Sequence, residues 1–177
     1  MARLAPAPLR PWPAALLVAA AALLAPLSGA RAAAGAPASA APGLVSMSYG
    51  RTGFRDARVG MELALTYHLR PRFAGVRPVG GVIASTGGDA LVFVGCDRDL
   101  LLPRGWGVTP LFSGGYYSDG LGTGLGGALE FRSAISCWRA LGPWSRIGVG
   151  IDHISNAGIF DRNPGRESVF FTVTSRR

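Results

Sequence analysis

A strict alternation of side chains between Ala57 and Leu69 constrains the fold of this chain more than any other feature. The odd positions are largely apolar, and the even positions are polar or small. Because successive side chains of a β-strand point to opposite faces, the pattern indicates a strand with one apolar and one polar face. Soluble strands usually have about 5–6 residues, whereas a strand that crosses a bilayer needs about 9–11 residues at a tilt near 45°. The stretch therefore favours a membrane barrel over a soluble sandwich.

The same period of two continues through most of the remaining chain. We predict eight strands, at residues 44–50, 57–70, 72–84, 88–96, 105–117, 122–138, 143–155 and 167–175. Bacterial outer-membrane barrels use an even number of antiparallel strands, with eight as the minimum, and closure removes the unpaired strand edges. The predicted fold class is therefore all-β, an eight-stranded antiparallel transmembrane β-barrel that occupies residues 44–177.

Composition agrees with a membrane barrel and argues against several other classes of protein. Charged residues make up 16% of the 177-residue chain, whereas a soluble domain usually carries about 25%. After the N-terminal region no long apolar run remains, which argues against a bundle of membrane helices. The net charge is +8, and the 18 basic residues are all arginine. These arginines are scattered and accompany no recognition motif, so nucleic acid is not an expected partner.

The N-terminal region resembles a secretory signal. Arg3 and Arg10 precede a short apolar run at 14–27, and Ala30-Arg31-Ala32 offers a cleavage site between small residues. An uncleaved anchor helix is the alternative, but the run is short and contains a proline. We therefore predict a signal peptide at residues 1–32, a flexible leader at 33–43, and export through the periplasm to the bacterial outer membrane.

Several other residues receive structural interpretations. Cys96 and Cys137 match no metal-site spacing, and we favour unpaired thiols, although an oxidising compartment would permit a disulfide. The even-numbered positions of the predicted strands place a set of polar residues in the barrel lumen, namely Glu62, His68, Glu130 and Arg132. Large aromatic residues near the predicted strand ends suggest an interface girdle, namely Trp106, Trp138, Trp144, Tyr116 and Tyr117.

The residues with candidate chemistry lie on the last predicted hairpin. His153 and Ser155 share one strand face, and Glu167 follows the connection that leads into the last strand. A nucleophile, a base and an orienting group within reach of each other are the minimum for acyl transfer. If His153 lies opposite Glu167, the pairs below them are apolar, namely Ile151 with Val169, Val149 with Phe171 and Ile147 with Val173. The predicted triad would then face the lipid.

The neighbouring residues supply further candidates for the site. Asp152 points to the opposite face from His153, and Asp161 is an alternative orienting group with poorer geometry than Glu167. Asn163-Pro164-Gly165 suits a type II turn that returns the chain to Glu167. Asn156, Asn163 and the backbone N–H groups around 157–158 are candidate donors to an oxyanion. A polar girdle or a solvated loop at the barrel rim would produce the same residues without catalysis.

The amino-acid sequence of this hairpin resembles that of one family. His153-Ile154-Ser155-Asn156-Ala157-Gly158, followed by Asn163-Pro164-Gly165-Arg166-Glu167-Ser168, is similar to the signature of the outer-membrane lipid A 3-O-deacylases (PagL). The resemblance implies hydrolysis of the ester-linked acyl chain at position 3 of lipid A, in the outer leaflet, without a metal or organic cofactor. It also implies roles for individual residues: Ser155 as nucleophile, His153 as base, Glu167 as orienting group, and Asn163 and Gly158 as oxyanion-hole donors.

Two positions depart from the family pattern. Ile154 stands where some members have an aromatic residue, and the chain ends in Thr174-Ser175-Arg176-Arg177 instead of a terminal aromatic residue. The first departure concerns lipid contact, and the second concerns assembly into the membrane. Neither affects the predicted triad.

The expected partner is lipid A, or lipopolysaccharide, within the membrane. Arg162 and Arg166, together with Asn156, are weaker candidates for substrate contact. We predict that four arginines lie in loops at the outer rim of the barrel, within reach of lipid A phosphates, namely Arg51, Arg55, Arg162 and Arg166. A homodimer is compatible with the sequence. Two other functions are compatible with it: a non-catalytic structural or adhesive barrel, and a phospholipase or acyltransferase that acts on other lipids.

Overall fold

The computed structural model describes residues 43–52, 60–120 and 124–176. The predicted signal peptide and residues 33–42 of the predicted leader lie outside this part of the chain. The described residues form eight long strands and one two-residue strand: β1 (Leu44–Thr52), β2 (Gly60–His68), β3 (Val76–Ser85), β4 (Ala90–Arg98), β5 (Leu100–Leu101), β6 (Trp106–Ser118), β7 (Leu129–Ala140), β8 (Ser145–Ser155) and β9 (Arg166–Arg176). Single turns of 3-10 helix occupy Phe73–Gly75 and Pro103–Gly105.

The long strands close into a barrel. Each pairs antiparallel with its neighbours, β1 pairs with β9, and β4 pairs with β6 to complete the ring. Strand β5 continues the register of β4 along β6, since Asp97 pairs with Leu111 and Leu100 pairs with Val108. Pro110 lies between these pairs and has no N–H to donate, which explains the break between β4 and β5. The predicted eight-stranded barrel is therefore confirmed.

Two predicted strands begin later than the sequence suggested. The third was predicted from residue 72 but begins at Val76, because Ala74 and Gly75 adopt positive φ angles of 52° and 78°. The sixth was predicted from residue 122, but its strand β7 begins at Leu129. Residues 124–128 instead pack against the connection between β8 and β9, where the Asn156 side chain donates to the Leu125 carbonyl.

Alternation along the strands sorts side chains between lumen and outer surface. In β2, Leu63, Leu65 and Tyr67 are exposed, whereas Glu62, Ala64, Thr66 and His68 are buried. The rings of Phe93 and Phe170 both pack against the Arg132 guanidinium, with centroids 5.3 and 5.7 Å from its carbon. Closely packed side chains therefore fill the lumen, and apolar side chains cover the outer surface, as a bilayer requires.

The lumen near the chain termini contains a polar network around His68. The His68 ring bonds Asp97 through Nδ1 at 2.6 Å and Ser46 through Nε2 at 2.8 Å. Arg77 donates to Asp97 and also to Asp99. The predicted lumenal positions of Glu62, His68, Glu130 and Arg132 are confirmed, because all four side chains are buried.

The aromatic residues divide into two groups. Trp106, Trp144 and Tyr116 are exposed at strand ends, in agreement with an interface girdle. The prediction for Trp138 and Tyr117 was wrong, because both are buried on the lumenal face. Trp138 donates through Nε1 to Thr109 at 2.8 Å, so its polar edge is satisfied inside the barrel.

Two further observations concern the thiols and the helices. Cys96 and Cys137 are both free, as the sequence favoured. No helix among the described residues is long and apolar enough to cross a membrane.

The outward face of β8 allows a direct test of the membrane orientation. Val149 is exposed near the middle of β8, and we expect Val149→Arg to lower the free energy of unfolding by about 2–4 kcal/mol in lipid. Leu141→Arg, in the connection between β7 and β8, should cost only about 0–1 kcal/mol because that position lies near the interface. Urea unfolding in lipid vesicles measures both values, and equal losses would contradict a bilayer around the barrel centre.

Candidate active site

The candidate site lies where β8 ends and β9 begins. His153 pairs with Glu167, Ile151 with Val169 and Val149 with Phe171, as predicted from the sequence. Residues Val149, Ile151 and Phe171 are exposed on the outer surface. The imidazole and the carboxylate therefore stand above a ladder of apolar side chains that faces the lipid.

The histidine and the glutamate lie next to each other on the outer face of the barrel. His153 Nδ1 lies 3.4 Å from Glu167 Oε1, and the two side chains are 13% and 36% exposed. A carboxylate beside Nδ1 favours the tautomer that carries the proton there, so that Nε2 can accept a proton. The separation exceeds the about 2.7–2.9 Å of a strong charge-assisted hydrogen bond, so the carboxylate is close to the imidazole but not tightly bonded to it.

Ser155 completes the set on the same strand. It lies two residues after His153, at the end of β8, and is 3% exposed. Within the described ranges, no hydrogen bond joins its hydroxyl to the imidazole. Such bonds are often long in a free enzyme and shorten when substrate binds. The arrangement thus places a hydroxyl, a base and a carboxylate in one short stretch of barrel wall.

Asn156 anchors the connection between β8 and β9. It is fully buried, and its Nδ2 donates to the carbonyls of Leu125 at 2.9 Å and Arg162 at 2.7 Å. Its Oδ1 accepts from the Gly158 N–H at 3.0 Å. Both amide hydrogens are therefore used within the protein, so in this structure Asn156 holds the loop in place and does not present its amide to a substrate.

The two candidate oxyanion donors differ in their bonding. Asn163 is exposed, and its Oδ1 accepts from the Asn156 backbone N–H at 3.2 Å. That bond uses only the carbonyl end, so the amide NH₂ remains the donor that Asn163 can offer. The Gly158 N–H already donates to Asn156 and would have to exchange that partner to serve an oxyanion.

Gly165 lies directly against the imidazole. A Cβ at this position would be 3.0 Å from His153 Cε1, and the residue has a φ of +68°. The positive φ is the value that the predicted turn requires, although residues 162–165 form no hydrogen-bonded turn. Only glycine meets both conditions without strain.

The arginines predicted to contact substrate occupy different environments. Arg162 is exposed in the loop, and Arg55 lies outside the described residues. Arg51 is exposed, but the expectation that it lies in a loop was wrong, because it belongs to strand β1. The expectation that Arg166 lies in an outward loop is corrected, because it is the first residue of β9 and points into the lumen. Arg166 and Glu167 are adjacent, so their side chains point to opposite faces of the strand. The alternation of side chains alone could therefore have predicted that Arg166 points inward.

The two aspartates near the site, Asp152 and Asp161, lie in different environments. Asp152 faces the lumen and forms an ion pair with Arg132 at 2.7 Å, in agreement with its exclusion as the orienting group. Asp161 is exposed in the loop. Among the described residues, no group of three or more His, Cys, Asp or Glu side chains could hold a metal ion.

A family model settles the classification. The model described as lipid A 3-O-deacylase (PagL) matches residues 45–176, which include all the strands of the barrel except the first residue of β1. The chain belongs to the PagL family. It is therefore a carboxylic ester hydrolase of the bacterial outer membrane, and its class of substrate is lipid A.

Solved structures support the fold of this PagL-family chain. A crystal structure of the outer membrane enzyme PagL is 22% identical, covers 76% of this chain and 99% of its own, and has a TM-score of 0.53. A designed transmembrane β-barrel is 7% identical, covers 77% of this chain and 96% of its own, and has a TM-score of 0.57. A crystal structure of Neisserial surface protein A is 12% identical, covers 76% of this chain and 96% of its own, and has a TM-score of 0.51. A comparison with curated proteins gave no match.

Gly165 gives a test of the site geometry. We expect Gly165→Ala to lower kcat/KM for lipid A deacylation, because the added Cβ meets the imidazole at 3.0 Å. Gly75→Ala is the matched control, since Gly75 has a φ of +78° and no atom within 4 Å of an added Cβ. Both substitutions carry a similar backbone cost of about 1 kcal/mol. If folded Gly165→Ala and folded Gly75→Ala have the same kcat/KM, the placement of the His153 imidazole does not affect the reaction.

Proposed function

We propose that this PagL-family enzyme hydrolyses the ester at position 3 of lipid A in the outer leaflet, with Ser155, His153 and Glu167 as its triad. The observation that carries the proposal is the position of the His153–Glu167 pair on the outer face of the barrel, above exposed Ile151. A soluble substrate would gain nothing from a site on that face. A membrane lipid can lie along the apolar ladder with its ester level with the imidazole.

The proposed reaction has two steps. Ser155 Oγ attacks the ester carbonyl while His153 Nε2 accepts its proton, and Glu167 stabilises the imidazolium that forms. The tetrahedral intermediate then collapses as His153 returns the proton to the sugar oxygen, which leaves an acyl-serine. Water activated by His153 attacks this ester in turn and releases the fatty acid. Asn163 and the Gly158 N–H are the proposed donors to the oxyanion.

Two consequences follow for substrate approach. Because Ser155 is 3% exposed, only a small part of its surface is open to an approaching ester. Arg162, exposed in the loop, is the proposed contact for a phosphate of lipid A.

We also propose that residues 1–32 direct export through the periplasm and are then removed.

The first experiment is mass spectrometry of lipid A from cells that express the chain. Wild type should remove one 3-hydroxyacyl group, and Ser155→Ala should leave lipid A unchanged. Ser113→Ala is the matched control, because this buried lumenal serine has a hydroxyl without a hydrogen-bond partner. A gel-mobility assay for folded barrel accompanies each variant. Deacylation by folded Ser155→Ala would rule out the serine mechanism, and phospholipid hydrolysis by wild type with unchanged lipid A would indicate another substrate.

Asn163 can be tested separately as an oxyanion donor. We expect Asn163→Ala to reduce kcat by about 10²–10³-fold with a small change in KM, the usual cost of a lost oxyanion donor. Asn163→Asp retains the oxygen that accepts from Asn156 but lacks the donor, so it should be as impaired as the alanine variant. Recovery of kcat in Asn163→Asp would show that Asn163 only shapes the loop.

A further inference from the structure

A buried ion cluster lies on the lumenal side of the barrel wall, behind the candidate site. Arg166 directly precedes Glu167 in β9, so the carboxylate faces outward and the guanidinium faces inward. The Arg166 side chain is 12% exposed and forms ion pairs with Asp89 and with Glu62, the second at 3.4 Å. The residue before the orienting group is therefore bonded to two carboxylates inside the barrel.

The partners of Arg166 come from separate parts of the barrel. Glu62 lies on β2, and Asp89 lies in the short connection between β3 and β4, where Ser85 donates to it. Ser168, the next inward residue of β9, donates to Glu62 at 3.1 Å. Both inward neighbours of Glu167 are thus bonded to groups outside the β8–β9 hairpin, and the start of β9 is held on its lumenal side.

A similar arrangement holds His153. Its preceding residue, Asp152, points inward and pairs with Arg132 on β7 at 2.7 Å. Each member of the outward pair is therefore flanked by an inward charged residue in a buried ion pair. Buried ion pairs are costly to break, because the remaining charge is left without a partner, so they resist displacement of the backbone that carries the site.

We propose that Arg166, through Glu62 and Asp89, is a positioning residue that sets the Glu167 carboxylate against His153. The proposal rests on the triad proposed above. Glu167 is 36% exposed, and its Oε1 lies 3.4 Å from His153 Nδ1. Position 166 is also the first residue of β9, where a strand frays without a tether. The buried cluster supplies that tether.

The test is a double-mutant cycle between positions 166 and 167 in the full-length protein. Arg166→Met should lower kcat for lipid A deacylation by about 10–100-fold with little change in KM, because misplacement by about 1 Å can cost about 10²-fold. In the Glu167→Gln background, Arg166→Met should change the residual rate by less than about twofold, since the group that it positions is already lost. Arg166→Lys should recover part of kcat.

Arg77→Met is the matched control. Arg77 is also a buried arginine bonded to two carboxylates, Asp97 and Asp99, but it lies near the chain termini. We expect this variant to lose barrel stability and to retain kcat in its folded fraction. If Arg166→Met fails to fold, Glu62→Gln and Asp89→Asn replace it in the same cycle, because each removes only one partner.

The outcomes separate the two proposals. Unchanged kcat in folded Arg166→Met, or an equal loss in the wild-type and Glu167→Gln backgrounds, would overturn the positioning role. A loss of kcat in Arg77→Met as large as that in Arg166→Met would overturn it too. If Glu167→Gln itself leaves kcat unchanged, the triad is wrong. Impaired Glu167→Gln together with fully active Arg166→Met would leave the triad intact and reject only the positioning role.

Discussion

The closed ring of strand pairing is the constraint on which the rest of this structure depends. Backbone N–H and C=O groups have no water to bond in a bilayer, so each strand must pair on both sides. The pairs β1–β9 and β4–β6 meet this condition at the last two edges. Once the ring is closed, each residue has a fixed side, and alternation alone decides whether it meets lipid or lumen. The outward position of His153 and the inward position of Arg166 both follow from this rule.

The same rule explains how the site combines two incompatible environments. An ester in a lipid needs catalytic groups on the apolar surface, where charged side chains are poorly tolerated. The outward face of the hairpin carries few charged side chains, at its very end, whereas Asp152 and Arg166 point inward and pair with lumenal residues. Residues adjacent in the sequence therefore face two different electrostatic environments, the lipid on one side of the strand and the polar lumen on the other.

The sequence predicted what depends on alternation and missed what depends on contacts between distant segments. The pairing of His153 with Glu167 was assumed and agreed with the apolar pairs below it, and the exclusion of Asp152 followed from the alternation of side chains. The start of β3 was missed because Ala74, a residue without a strong turn preference, takes a positive φ. The role of Asn156 was missed because its partners, Leu125 and Arg162, lie on two different connections. The burial of Trp138 was overlooked because its size suggested an interface position, although its parity pointed inward.

The β1–β9 pairing also bears on when the enzyme becomes competent. Glu62 belongs to β2, which meets β9 only through β1, so its bond to Arg166 exists only after the first and last strands have joined. The β8–β9 hairpin can form locally, but the tether behind it cannot. A chain whose first and last strands have not yet paired would therefore lack part of the support that we propose for the β8–β9 hairpin. Assembly and activation would be one event, which would restrict hydrolysis to barrels that have already reached their lipid surroundings.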